Sequence, residues 1–146
     1  MKGQLSSELI LSVVDPLQVE PRFKSIFFIG DKNPFTFLIK DGSGEFTVTM
    51  LNSEEDPIAE IVERGRKITV IPKKTGRVVL EVRDSKLPEA PPSTAVLEIS
   101  GIMKLELHTN SNYIEKGQSV NMMATAYDNR LLPFDLDQYK SMDFIL

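Results

Sequence analysis

Apolar and polar residues alternate along most of this chain. Leu9, Leu11 and Val13 alternate with Ile10, Ser12 and Val14 until Pro16, and Leu17 and Val19 alternate with Gln18 and Glu20 until Pro21. The same pattern recurs at Phe35, Phe37 and Ile39, at Phe46, Val48 and Met50, at Ile68 and Val70, at Val78, Leu80 and Val82, and at Ala95, Leu97 and Ile99. A period of two in runs rich in β-branched and aromatic side chains predicts half-buried strands. The stretches between them, DGSG at 41–44, ERG at 63–65, PKKTG at 72–76 and LPEAPPS at 87–93, are made of turn residues, and DGSG reads as a hairpin turn. Asp56 to Glu63 is the one helical competitor, but it is short and has no clear cap. Closely spaced strands without helical spacers predict an all-β protein built as a β-sandwich, with a barrel as the alternative.

The pattern also repeats itself. Residues 29–43, IGDKNPFTFLIKDGS, and residues 115–129, EKGQSVNMMATAYDN, each run from a glycine turn through an apolar-alternating segment to an Asp. Gly30 and Gly117 are 87 residues apart, Phe35, Phe37 and Ile39 match Met122, Ala124 and Ala126, and Asp41 matches Asp128. Residues 8–21 align with residues 96–109 in the same way. This period is the size of one Ig-like sandwich. The expected organisation is therefore a piece of a tandem array. Residues 1–15 are a leading strand from a preceding repeat or a linker, and residues 16–100 are one Ig-like β-sandwich of about seven strands. Residues 101–146 are a partial second domain, with strands near 103–108, 119–127 and 138–146.

Three strands alone leave an uncovered face and unpaired edges. Leu105, Leu107, Val120, Met122, Tyr127, Tyr139 and Phe144 demand burial. The expectation is that a second copy of the chain covers them in a homodimer, rather than the chain's own first domain. Phe27 and Phe28 are adjacent and cannot share one face of a regular strand, so one of them is expected to face a neighbour.

Charge and chemistry narrow the function classes. The net charge is −4, with no basic stripe, which argues against nucleic acid as a partner. There is no cysteine, so disulfides and thiolate metal sites are excluded. No apolar run is long enough to span a membrane, which leaves any membrane attachment to a span outside this segment. His108 is the sole histidine and has only Glu106 nearby on its strand, a poor basis for a triad or a metal site. Ser43 sits in DGSGE, which is neither a nucleophile elbow nor a phosphate cradle. No catalytic residue and no cofactor are expected, and the protein is read as a non-enzyme. No metal site is assigned. The nearest approach to one is a calcium site at Asp128, Asp135 and Asp137, whose spacing fits no fixed loop. Glu54, Glu55 and Asp56 read as a solvated loop.

The ordered set LQVEP, IG, FTFLIKDGSGEF, IAEI, ITVIPKKTGRVVLEVRDS and STAVLEIS resembles the bacterial-Ig-like repeat of the invasin and intimin type. ISGIMKLEL and GQSVNMMATAYDNRLLPFDLDQYKSMDF are more particularly similar to the lumenal repeats of the nuclear pore membrane glycoprotein family. That resemblance implies a structural role at the lumenal side of the nuclear envelope, as a spacer that associates with itself and with neighbouring Ig-like repeats. The alternative is an Ig-like repeat of a cell-surface adhesin that binds a receptor or a sugar.

Overall fold

A computed structural model describes residues 3, 5–52 and 55–144. Glu54 of the acidic run and residues 145–146 of the predicted last strand lie outside the described residues.

Eight strands make two four-stranded sheets, in the orders β1-β3-β6-β5 and β2-β8-β7-β4. They are β1 (Gln18–Glu20), β2 (Phe23–Phe27), β3 (Phe35–Lys40), β4 (Phe46–Met50), β5 (Ala59–Arg64), β6 (Lys67–Pro72), β7 (Gly76–Asp84) and β8 (Ser93–Ser100). The alternation that predicted them also sets their inner faces. Phe37, Ile68, Val70, Val78, Leu80, Val82, Leu97 and Ile99 are wholly buried between the sheets. Each large apolar side chain moved from water contributes about 1.5–3 kcal/mol, so this layer is the main stabilising force of the sandwich.

Several elements depart from the sequence reading. The leading run splits at Pro21, so β1 joins one sheet and β2 the other, giving eight strands where about seven were expected. Asp56 to Glu63 forms no helix; its second half is β5, paired to β6 across a tight turn at Gly65 with φ of 59°. DGSG is not a hairpin turn, because β3 and β4 lie in different sheets and the loop carries the chain between them. Residues 5–17 belong to no strand, so the predicted leading strand over Leu9 to Val14 is not formed.

Beyond the sandwich, β9 (Lys104–Thr109) and β10 (Met122–Tyr127) form a two-stranded antiparallel sheet. It is antiparallel, as the β1–β3 pair is, but its register is shifted: Val19 lies opposite Ile39 in the first pair, whereas Leu107, which aligns with Val19, lies opposite Ala124. The predicted strand over 138–146 is instead a 3-10 helix, Leu136–Ser141, and the 119–127 strand begins only at Met122. After β10 the chain turns back and packs on the sandwich.

Candidate functional site: the junction between the two units

β2 and β8 run parallel, with Ser25 opposite Glu98 and Phe27 opposite Ser100. Strand alternation sends Ile26, Leu97 and Ile99 inward, so Ser25, Phe27, Glu98 and Ser100 point out of the sandwich, where polar residues normally meet water. Here they do not. Glu98 is 4% exposed and Ser100 2%, because the chain after β10 lies over them.

Asp128 is the centre of that cover and is itself 0% exposed. Its Oδ2 accepts from the Ser25 hydroxyl at 2.9 Å, and its Oδ1 accepts from the backbone N–H groups of Arg130 at 2.9 Å and Leu132 at 3.0 Å. The last two bonds close a tight loop on the carboxylate, an arrangement Asp supports well, and hold Leu131 at φ of 59°. Asn129 continues the seam: its N–H donates to the Ser100 hydroxyl at 2.9 Å and its Nδ2 to Glu98 Oε1 at 2.8 Å. The other Glu98 oxygen accepts from Arg77 Nε at 2.9 Å. A carboxyl group at this depth is tolerated only when hydrogen-bonded, and both are.

The 3-10 helix supplies the second half. Gln138 Oε1 accepts from Phe27 N–H at 3.0 Å and from Asn33 Nδ2 at 2.9 Å. The hydroxyl of Tyr139 accepts from Ala126 N–H at 2.9 Å. Ala126, Phe134 and Met142 form a small apolar cluster with Phe27, Ile102 and Tyr139. Phe27 and Phe134 meet edge to face, their centroids 6.3 Å apart, a favoured aromatic geometry. Phe28 packs instead into the main core. The adjacent pair thus divides as its alternation required, with Phe27 packing against the stretch after β10.

Lys24 bridges the rim. Its ammonium lies 2.7 Å from Asp135 and 2.9 Å from Asp137, with the lysine side chain 11% exposed. Burial lowers the Lys24 pKa, but the two carboxylates outweigh it and raise it above its ordinary value. Burial likewise pushes Asp137 up, and the bonds to Lys24 and Gln138 bring it net below the usual carboxylate value. Arg130 lies over the Phe23 ring at 4.2 Å. Among the described residues, no buried side-chain nitrogen or oxygen lacks a hydrogen-bond partner.

The three acids that came nearest to a calcium site in the sequence are not brought together. Asp128 turns inward to Ser25 while Asp135 and Asp137 converge on Lys24, so the three carboxylates do not share a centre. Among the described residues, no group of three or more His, Cys, Asp or Glu side chains gathers in a way that could hold a metal ion. The expected cover for residues 101–146 is revised in part as well: the 126–142 stretch packs on the chain's own sandwich, and Tyr139 is used there. Leu105, Leu107 and Met122 remain about half exposed on one face of the β9–β10 pair, Phe144 is 39% exposed beside Tyr139, and Val120 is half-buried in the connecting segment. Tyr127 points to the other face, where its hydroxyl donates to Glu106 at 2.8 Å. His108 is exposed, 3.4 Å from Glu106. Ser25 and Glu98 escaped the sequence reading, since polar residues at outward strand positions look solvated until something is known to cover them, and Asn33 and Gln138, in a turn and the 3-10 helix, carried no signal of their own. The Phe27–Phe28 pair was the one signal that pointed to this surface.

No known family profile matches the chain. Among solved structures, domains 5–6 of the S-layer protein SbsC superpose with a TM-score of 0.45 at 14% identity, covering 84% of this chain and 66% of that one. SbsC domains 4–9 give a TM-score of 0.43 at 14% identity, over 84% of this chain and 21% of that one. In sequence, the chain is 29% identical over 143 residues to nuclear pore membrane glycoprotein 210-like of Homo sapiens, covering 97% of this chain and 7% of the relative. It is 30% identical over 138 residues to nuclear pore membrane glycoprotein 210-like of Mus musculus, covering 93% and 7%. The family resemblance carried by the glycine and apolar pattern is thus borne out: over a segment spanning 7% of their length, the chain is a sequence relative of the nuclear pore membrane glycoproteins.

Proposed function

We propose that this chain is a structural segment of a nuclear pore membrane glycoprotein, in which Ig-like units follow one another as a spacer on the lumenal side of the nuclear envelope. The observation that carries the reading is the junction. Asp128, Asn129 and Gln138 bond the second unit to Ser25, Glu98, Ser100 and the backbone of Phe27 on the first. Such a seam fixes the angle between consecutive units, which is what a spacer of defined length requires and what a loose linker would not supply. The role is non-enzymatic and uses no cofactor. Among the described residues no helix is long and apolar enough to cross a membrane, so membrane attachment is assigned to a span outside this segment.

The proposal includes self-association. Leu105, Leu107 and Met122 form an exposed apolar face on the β9–β10 pair, which a second copy or the next stretch of an array would cover. Immunogold labelling of the full-length parent, with protease protection of the tagged segment, tests the location. Label on the lumenal face of the nuclear rim is expected, and label at the cell surface or in the nuclear interior overturns the assignment. Small-angle scattering of the 146-residue chain tests the spacer. A single rigid two-unit profile is expected, and a broad ensemble of inter-unit angles would refute it.

A further inference from the structure

Four strands stand at the edges of the two sandwich sheets, β1 and β5 in one and β2 and β4 in the other. An edge carries a row of peptide groups without a ladder partner, open to any strand that fits, and proteins ordinarily guard it. Three of the four are guarded here. β1 has only three residues, set between Pro16 and Pro21, and the Ser93 hydroxyl accepts from the Val19 N–H at 3.1 Å. At β2, Gln138 accepts from the Phe27 N–H and Asn33 Nδ2 donates to the Phe27 carbonyl at 2.8 Å. β5 carries Glu60, Glu63 and Arg64, and Glu63 takes a core-side place opposite the buried Ile68. A charge so placed disfavours the addition of a further strand.

β4 has no such guard. Its sequence, FTVTM, holds neither a charge nor a proline. The Leu51 N–H donates to the Val79 carbonyl and the Glu45 carbonyl accepts from the Ser85 N–H, both at 2.9 Å, so Thr47 and Thr49 between them also turn their peptide groups to β7. The peptide groups of Phe46, Val48 and Met50 therefore point away from the sheet, and among the described residues no hydrogen bond reaches them. The side chains of the same three are only half-buried at the margin of the core, while Thr47 and Thr49 are exposed on the other face.

This edge is complementary to itself. Laid antiparallel to its own copy about a two-fold axis through Val48, β4 sets Phe46 opposite Met50 of the copy and Thr47 opposite Thr49 of the copy. The residues with outward peptide groups then face one another, which makes about six hydrogen bonds. Apolar side chains meet on the core side, hydroxyls meet on the other, and no charges oppose. We infer that β4 is a contact surface for a second copy of this chain, joining the two β2-β8-β7-β4 sheets edge to edge into one. Five residues a side make a small interface of the weak, transient class. Pairing at millimolar concentration is expected, a level that neighbouring copies tethered in an array would reach. The surface is separate from the β9–β10 face assigned to self-association above, and sedimentation at micromolar concentration would not detect it.

The test uses the 146-residue chain with Leu107→Glu, which silences the β9–β10 face, so that failure here is separable from failure of that proposal. Amide spectra are recorded from micromolar to millimolar concentration. Concentration-dependent shifts are expected at Phe46, Val48 and Met50, and isotope-filtered contacts between labelled and unlabelled chains should join Val48 to Val48 and Phe46 to Met50. Val48→Pro should abolish both, because its N–H takes no part in the β7 ladder and proline is tolerated at such a position. A charge pair decides the matter even if that variant fails to fold. Thr47→Lys with Thr49→Lys sets lysines opposite lysines and should lose the shifts, as should the matching double glutamate variant, whereas an equal mixture of the two should restore them. Shifts that are absent at millimolar concentration, that fall away from β4, or that persist in the lysine variant alone would overturn the inference. So would shifts produced by a synthetic heptapeptide of residues 45–51 but not by the protein itself, since the edge would then take a free peptide rather than a folded copy.

Discussion

The Ser25 hydroxyl donates to Asp128 at 2.9 Å across 103 residues of sequence. Ser25 belongs to the sandwich and Asp128 follows β10, so this bond ties the β9–β10 segment to the sandwich. Asp128→Ala would leave the Ser25 hydroxyl and two loop N–H groups without their acceptor. Each buried group so orphaned costs about 1–3 kcal/mol, against about 1 kcal/mol for Ser25→Ala. The expected outcome is selective: exchange protection of β10 and the 3-10 helix falls while β6, β7 and β8 keep theirs. A double-mutant cycle should return a coupling of about 0.5–3 kcal/mol, and strict additivity would show that the bond is not made in solution.

Phe27 and Phe28 should separate in their effects. Phe27→Ala removes one side of the edge-to-face contact with Phe134 and should release the 126–142 stretch to limited proteolysis, with a loss of about 1–3 kcal/mol at the junction. Phe37→Ala, at the wholly buried centre of the sandwich, should cost about 3–5 kcal/mol and lower the melting of the sandwich itself. Equal global destabilisation by both would contradict the division into two clusters.

Lys24 is held by two carboxylates, of which either one suffices to neutralise it. Asp135→Asn alone should therefore cost less than about 1 kcal/mol, since the acids are well exposed. The double variant with Asp137→Asn should cost more than the two singles together, because it leaves a largely covered ammonium without an anion. Urea denaturation of the set measures this. Millimolar calcium should leave the melting temperature unchanged, as the carboxylates already serve the lysine and Asp128 lies apart from them. A rise of several degrees that Asp135→Asn abolishes would restore the calcium reading.

Acid should loosen the proximal end of the sandwich through Asp84. The Ser43 hydroxyl holds its carboxyl below the ordinary value of 3.8; burial pushes the other way, and the N–H groups of Ser43 and Lys86 add to the depression. A carboxyl depressed in the folded state contributes stability that is fully present above the unfolded value. That contribution is lost as pH falls through the lower folded value. Melting temperature should thus fall below about pH 4, and Asp84→Asn should lower it at pH 7 while flattening that acid slope. Parallel melting curves for the two proteins from pH 7 to pH 2 would disprove the linkage.

The exposed face of β9 and β10 predicts association. Sedimentation of the 146-residue chain at rising concentration should show a dimer, and Leu107→Glu should return a monomer by placing a charge among Leu105 and Met122. A monomer at every concentration for both proteins would refute the self-association proposal.

Alternation alone determined which side chains of the strands face the core. Val78, Leu80 and Val82, and likewise Ala95, Leu97 and Ile99, had to face one way because strand geometry turns every second side chain to the same side. The similarity of the two segments was legible for the same reason: Phe37, Ile39 and Asp41 recur as Ala124, Ala126 and Asp128, and each Asp directly follows its strand, β3 or β10. The tertiary structure decided everything that depends on what lies across a surface. Residues 138–146 carry apolar residues at strand-like spacing, yet a strand needs a partner ladder to form; here residues 136–141 make a 3-10 helix, and Tyr139 and Met142 pack on the sandwich side of it. Glu98 and Ser25 sit at outward strand positions, where a polar face is ordinarily wet. Whether a neighbour covers that face is set by contacts 30 to 100 residues away, and local periodicity carries no record of distance in space.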